Sequence, residues 1–245
     1  MSHNLVIPVL ELIGTRRKRT FPGAFIYKGA APTKKTAGSV TRRPPRSVCS
    51  HCVSTVLPVR IPIPESFYSI ETDEPHSTCL ACDASLLDGS TEYLIERGMR
   101  RYKAYDVQET VFEYALCMDC HATMRESFSD TSMRRCQAYL SEHIDLAERT
   151  GRLLGTESHD PSDWMQQCIV HDTPRAELEE YQVMAHCQGD EMLLTHLPLV
   201  MGGPAMDELA QCLSDETIDE LGGFRDEHLG LPPELKRDLH GPVVA

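Results

Sequence analysis

Two Cys-x-x-Cys motifs constrain the fold of this 245-residue chain more than any other feature. Their cysteines are Cys79, Cys82, Cys117 and Cys120. Four thiolates in two such motifs, here called the first and second knuckles, make a tetrahedral ligand set for zinc if the intervening segment brings them together. Residues 91–105 and 106–117 are rich in Tyr, Ile, Val and Phe and predict two strands. A hairpin of these strands would bring the two knuckles together.

The order of knuckle, hairpin and second knuckle at a helix start resembles the zinc-ribbon and treble-clef class. The resemblance covers about residues 76–128 and extends to ligand spacing and element order. It implies that the four knuckle cysteines are Zn²⁺ ligands. The positive end of a helix that begins at the second knuckle favours thiolates at Cys117 and Cys120.

The run Cys117-Met-Asp-Cys120-His121 also matches the attachment motif of a c-type haem, in which two thiols bind the ring and the histidine ligates iron. Covalent haem attachment requires an exported chain, and it leaves the first knuckle without a role. We therefore expect zinc, with His121 either exposed in the first helical turn or donating to a ligand thiolate. Electron transfer by a haem remains an alternative function.

Two further sets of Cys and His have ligand-like spacing. Cys49 and Cys52 form a third motif that has no obvious partner pair. A possible second metal set consists of Cys168, His171, His186 and Cys187. A predicted hairpin and helix follow Cys168 as they follow the first knuckle, so the second half is a candidate degenerate copy of the first. However, Gly202-Gly203-Pro204 stands where its second knuckle would be, and the apolar face of its strand favours a buried structural role for Cys187.

Charge divides the chain. Residues 1–60 hold eleven Lys or Arg and one acidic residue, Glu11, although the net charge of the whole chain is −13. Their basic, Pro- and Gly-rich composition predicts a disordered arm. The acidic remainder repels phosphate backbones and disfavours nucleic acid. The basic arm and a predicted hairpin-turn cluster keep nucleic-acid binding as an alternative. That cluster is Arg97, Arg100, Arg101 and Lys103.

The remaining patterns predict an α+β chain with a zinc-binding module over 61–155 and an α+β subdomain over 156–245. Prolines among the apolar residues of 53–64 predict an edge strand or extended linker. A long helix is expected from about Ser132 to Arg152, where apolar residues recur at helical spacing. In the subdomain, 181–187 and 192–201 predict a hairpin, and acidic helices follow it.

The N-terminal order of apolar run and then basic cluster differs from that of an export signal, and no stretch reaches the roughly 18 apolar residues of a membrane span. We therefore expect a cytoplasmic protein with reduced thiols and no membrane contact, although a mitochondrial presequence also fits the basic start. Established catalytic motifs are absent from the sequence, and a four-thiolate site is closed to substrate. The sequence predicts a non-enzymatic zinc-binding protein that acts by contacting an unidentified protein partner.

Overall fold

A six-stranded antiparallel sheet organises the part of the chain that the computed structural model describes, residues 58–155 and 159–230. Its strands are β1 (Val59–Pro62), β2 (Glu92–Tyr102), β3 (Val107–Cys117), β4 (Glu180–Gln188), β5 (Glu191–Leu194) and β6 (Leu199–Gly202). The order across the sheet is β1-β5-β4-β2-β3, and β6 pairs with the first half of β4. Residues 93–98 of β2 are all buried, because both faces of the sheet are covered there.

Helices follow the strands and complete the predicted α+β class. They are α1 (Met118–Glu126), α2 (Asp130–His143), α3 (Leu146–Leu154), α4 (Pro161–Trp164), α5 (Gly203–Cys212) and α6 (Asp215–Phe224). A π-helical turn, Arg225–Leu229, continues α6. The helix predicted to begin at the second knuckle is confirmed, as are the helices expected after the second hairpin.

Both predicted hairpins are present, but the second differs in its return strand. The strands β2 and β3 pair along their length, and a bulge lies between Gly98 and Met99. A Cβ on Gly98 would lie 2.3 Å from a ring carbon of Phe112, so only glycine leaves room for that ring. The single return strand predicted over 192–201 is wrong, because it divides into β5 and β6, which pair with opposite ends of β4.

The long helix predicted from Ser132 to Arg152 is also wrong. It divides into α2 and α3, because Ile144 adopts an extended conformation and Asp145 caps a new helix. The Asp145 carboxylate accepts a hydrogen bond of 2.8 Å from the Glu148 N–H. An aspartate that precedes a helix accepts a hydrogen bond from a backbone N–H in the first helical turn. This capping favours the start of α3 at Asp145 over the continuation of α2 through it. The spacing of apolar residues carries no sign of that competition.

Pairing between β2 and β4 joins the two predicted modules in one sheet. The register runs from Glu92 opposite Gln188 to Arg100 opposite Glu180, so strands from both sides of residue 155 lie side by side. The predicted edge strand is confirmed for Val59–Pro62, since among the described strands β1 pairs with β5 alone and stands at the end of the order. The predicted disordered arm lies outside the described residues except for residues 58–60, of which Val59 and Arg60 belong to β1, and Cys49 and Cys52 also lie outside them.

The first turns of α2 and α6 are tied together by their capping residues. The Ser129 Oγ accepts from Ser132 N–H at 3.1 Å, and the Ser214 Oγ accepts from Thr217 N–H at 3.4 Å. The two serine oxygens lie 2.8 Å apart. In addition, Ser214 N–H donates to Ser132 Oγ at 2.8 Å, and Ser129 N–H donates to Thr217 Oγ1 at 3.1 Å. Each cap therefore supports the other helix as well as its own.

We expect Ser129→Ala and Ser214→Ala each to lower the free energy of unfolding by about 1–2 kcal/mol, because each removes a cap and a partner of the other cap. The double variant should lose less than the sum, since the two side chains share one network. Urea denaturation of the four proteins in this cycle measures the coupling. Asp145→Ala, which removes an exposed cap outside the network, is the control and should be additive with either serine variant. Full additivity of the two serine variants would contradict the shared network.

Candidate metal centre

The side chains of the two knuckles converge on one point. The Sγ atoms of Cys79, Cys82, Cys117 and Cys120 all lie within 4.8 Å of one another. The Sγ atoms of Cys82 and Cys117 are 3.8 Å apart. Four sulfurs at 2.3 Å from a tetrahedral zinc ion would be separated by about 3.8 Å, so the observed spacing fits this coordination. In the described ranges this is the one group of three or more Cys, His, Asp or Glu side chains that meets that distance criterion.

Backbone hydrogen bonds of the chain itself shape the first knuckle. The Cys79 N–H donates to the Ala84 carbonyl at 2.9 Å, and the Asp83 N–H donates to the Cys79 carbonyl at 3.0 Å. Asp83 closes this turn with a φ of 57°, a left-handed conformation that aspartate tolerates better than most residues. The Leu80 N–H donates to Ala115 O at 2.9 Å, which fixes the knuckle against β3.

The second knuckle stands where β3 becomes α1. Cys117 is the last residue of β3 and the N-cap of α1, and its Sγ accepts from the Cys120 N–H at 3.5 Å. The Cys117 N–H in turn donates to Cys79 Sγ at 3.4 Å. The strand end, the helix start and the first knuckle therefore position the four sulfurs together, as the sequence predicted.

The thiols of Cys79, Cys117 and Cys120 differ in how readily they ionise. Burial opposes ionisation of Cys79, but backbone N–H groups of Cys117, Ala81 and Cys82 donate to its sulfur and together lower its pKa to about 7. Burial raises the pKa of Cys117 and that of Cys120 above the usual range. Several thiolates this close would repel one another without a cation between them. A soft divalent metal ion supplies that charge and deprotonates the thiols it binds.

His121 lies in the core, so the alternative that it is exposed is wrong. Its side chain is 0% exposed, and its Nε2 is 3.7 Å from Oε1 of Glu96, which is also 0% exposed. The other oxygen of Glu96 accepts from Tyr114 Oη at 2.6 Å and from Gln182 Nε2 at 2.7 Å. Burial, reinforced by the Glu96 charge, raises the pKa of Tyr114 well above its ordinary value.

Sequence reasoning missed this buried polar cluster of Glu96, Tyr114, His121 and Gln182. The available signal was Glu96 itself, a charged residue in the apolar run Tyr93-Leu-Ile-Glu96 of a strand-forming segment. Carboxylates are rarely buried without partners, so such a residue indicates a polar neighbour from another element. The identity of those neighbours depends on the pairing of β2 with β3 and β4.

The structure does not bring the possible second metal set together. Gly202, whose N–H donates to Cys168 Sγ at 3.3 Å, pairs with Tyr181 near the start of β4. His186 lies five residues further along β4, roughly 16 Å away at the rise of a strand. It is adjacent in sequence to Cys187, and neighbouring strand residues point to opposite faces. Cys187 is fully buried, as the apolar face of its strand predicted.

Each cation of the basic cluster in the β2–β3 hairpin contacts an acceptor of the same chain. Arg97 is buried and pairs with Glu113 at 2.7 Å, two further cations pair with carboxylates, and Arg101 donates to a neutral carbonyl. These contacts are Arg100 with Glu180 at 2.9 Å, Arg101 with the Ala176 carbonyl at 3.0 Å, and Lys103 with Glu179 at 3.2 Å. The cluster balances local negative charge, and its cations are not arranged as a free basic surface.

Comparison of the chain with protein-family models, curated proteins and solved structures found no match in any of the three. The interpretation of the four-cysteine site therefore depends on its own geometry. Within residues 58–155 and 159–230, no helix combines the length and apolar character needed to cross a membrane.

We expect His121→Ala to lower the free energy of unfolding by about 2–4 kcal/mol, because it opens a cavity beside a buried carboxylate. The metal content should not change, since the four thiolates remain. Thermal unfolding and metal analysis of the purified variant measure the two effects. His171→Ala is the matched control, because His171 also contacts a carboxylate, Glu208 at 3.1 Å, but is partly exposed and should cost less than about 1 kcal/mol. Equal losses in the two variants would contradict the buried role of His121.

Proposed function

We propose that the protein is a non-enzymatic zinc-binding protein whose metal is structural and which acts by contacting a protein partner. The observation that carries the metal assignment is the convergence of four cysteine sulfurs within 4.8 Å of one another. In this proposal all four thiolates bind Zn²⁺, which prefers a closed tetrahedral set of sulfur ligands at structural sites. His121 would support the site from the core side of α1.

A structural role follows from what the zinc would hold in place. Residues 68–91 contain neither a helix nor a strand, and the first knuckle lies within them. A metal bound to both knuckles would fasten this segment to the end of β3 and the start of α1. Four thiolates leave no position for water or substrate, so such a zinc would stabilise the fold without activating a nucleophile.

Exposed apolar residues at the far end of the hairpin support a protein contact. Tyr105, in the turn between β2 and β3, is 79% exposed, and Val107 at the start of β3 is 51% exposed. Tyr102 at the end of β2 is 38% exposed, and Val111 in β3 is 37% exposed. Clustered apolar groups at the surface are typical of protein interaction sites. The metal centre lies at the opposite end of β3 from this hairpin tip, so it would support the hairpin without taking part in the contact.

The two alternative functions have less support. Nucleic-acid binding would require free cations at the hairpin, but the cations there contact carboxylates and carbonyls of this chain. Haem ligation would require His121 to face iron, but its Nε2 faces Glu96 inside the core. The thiols that a haem would use also lie beside Cys79 and Cys82.

Purified protein should carry about one zinc ion per chain. Cys79→Ser or Cys117→Ser should remove it, because a structural four-thiolate site loses most of its affinity for zinc when one ligand is removed. Elemental analysis after dialysis measures the stoichiometry. Cys187→Ser, which changes a buried cysteine outside the cluster, is the control and should retain zinc. Stoichiometric zinc in a Cys79→Ser/Cys82→Ser variant would contradict the assignment. A Soret band that survives denaturation would instead support covalent haem.

A photo-crosslinking phenylalanine analogue at position 105 should form adducts with another protein in cells, because this side chain is large, apolar and exposed. The same analogue at Arg134, on the exposed face of α2, is the control for random collision. Adducts are measured by mass shift and mass spectrometry. Position 105 giving no more product than position 134 would refute the proposed contact surface.

A further inference from the structure

The loop after Cys168 repeats the backbone geometry of the first knuckle. In both loops the cysteine N–H donates to the carbonyl five residues later, at 2.9 Å for Cys79 and 2.8 Å for Cys168. In both, the cysteine carbonyl accepts at 3.0 Å from the N–H four residues later. That donor is Asp83 in one loop and Asp172 in the other, with φ values of 57° and 54°.

The strand end and helix start that meet each loop also correspond. The Cys117 N–H donates to Cys79 Sγ at 3.4 Å, and Cys117 caps α1. The Gly202 N–H donates to Cys168 Sγ at 3.3 Å, and Gly202 occupies the N-cap of α5. The backbone angles agree, with φ −64° and ψ 153° at Cys117 and φ −76° and ψ 158° at Gly202. Gly202 therefore stands in the place of Cys117, in a conformation that any residue can adopt.

The sheet relates these two halves by an approximate two-fold axis. Tyr93 pairs with Cys117 in the first half, and Tyr181 pairs with Gly202 in the second. The antiparallel register of β2 and β4 places the centre of this relation at the pair Glu96 and Met184. The interlocked caps Ser129 and Ser214 follow Cys117 and Gly202 at the same distance along the chain, and they meet each other.

We propose that residues 166–224, the second unit, are a copy of the metal-binding unit 77–139 in which hydrogen bonds have replaced the metal, and that cysteines at positions 202 and 205 would restore a zinc site there. By the correspondence above, Cys168 and His171 keep two ligand positions, those of Cys79 and Cys82. Ala205 takes the place of Cys120, three residues after the helix cap. Cysteine and histidine are both ordinary zinc ligands.

Hydrogen bonds now join the elements that a metal would have joined. His171 Nε2 lies 3.1 Å from Glu208 Oε2, which ties the loop to α5. The Tyr139 hydroxyl donates to the same carboxylate oxygen and adds α2 to the cluster. Glu208 lies one helical turn beyond Ala205, the position that corresponds to Cys120. Its contact with His171, which corresponds to Cys82, therefore joins α5 to the loop although position 205 offers no ligand.

The local space is compatible with a cysteine at position 202. A Cβ there would lie 3.7 Å from Cys168 Sγ, an ordinary van der Waals contact that places the start of the new side chain beside that ligand. It would also lie 2.8 Å from Leu178 Cδ2, the end of a flexible side chain that has to move. Ala205 is fully buried, and cysteine is among the smallest replacements for alanine in a core.

The test is the double variant Gly202→Cys/Ala205→Cys, purified with zinc and analysed for metal and for tetrahedral Co²⁺ absorption. Zinc should rise from about one to about two ions per chain, because three thiolates and one imidazole complete the second set. Adding Cys168→Ser should return the content to the wild-type value. Gly203→Cys/Met206→Cys, displaced by one residue on the same helix, is the matched control and should gain none. A folded Gly202→Cys/Ala205→Cys variant without additional metal would overturn the proposal.

The zinc content of the wild-type chain depends on the proposed function, whereas the additional zinc of the double variant depends on this inference. Two further measurements separate the two. In a Cys79→Ser/Cys82→Ser background, Gly202→Cys/Ala205→Cys should still bind zinc, even if the first site binds none. If the double variant does not fold, hydrogen exchange of the wild-type chain under chelation decides. The amides of Leu80 and Cys117 should lose protection while those of Ile169 and Gly202 keep it. Equal loss in both units would show that hydrogen bonds do not replace a metal in the second.

Discussion

The antiparallel pairing of β2 with β4 is the interaction on which the rest of the fold depends. It joins strands from the two halves of the chain over nine residue pairs, from Glu92–Gln188 to Arg100–Glu180. Each of these strands then carries its own partners outward, β3 on one side and β5 with β6 on the other. Long-range pairing of this kind closes a large loop, and burial of apolar side chains on both faces of the central strands offsets that entropic cost. That burial is observed for residues 93–98.

The free energy that the proposed zinc would contribute is comparable to the net stability of a whole domain. Structural zinc contributes on the order of 10 kcal/mol or more to the folding of small modules, which is comparable to the roughly 5–15 kcal/mol net stability of a typical domain. In the first unit, backbone N–H groups already point at the sulfurs of Cys79 and Cys117. In the second unit, backbone hydrogen bonds hold the corresponding loop, and the side chains of His171, Glu208 and Tyr139 contact one another beside it.

The buried polar cluster distinguishes the first half from the second. At the centre of the approximate two-fold relation, Glu96 stands opposite Met184. A buried carboxylate is costly unless several donors reach it, and here Tyr114 and Gln182 donate while His121 lies beside it. The corresponding positions for Tyr114 and His121 are Leu199 and Met206, so the second half packs with apolar groups instead. The half with the four thiols therefore has the polar core beside it.

Local sequence determined much of this protein. The two hairpins and the helix that starts at the second knuckle follow from interactions within a few residues. The knuckle spacing predicted the four ligand candidates, whose sulfurs the structure brings together. Tertiary structure decided the burial of His121, the division of β5 from β6 and the separation of His186 from Cys168. Each of these depends on which strands pair and in which register, and a contact between residues far apart in the chain leaves no periodic trace in either segment.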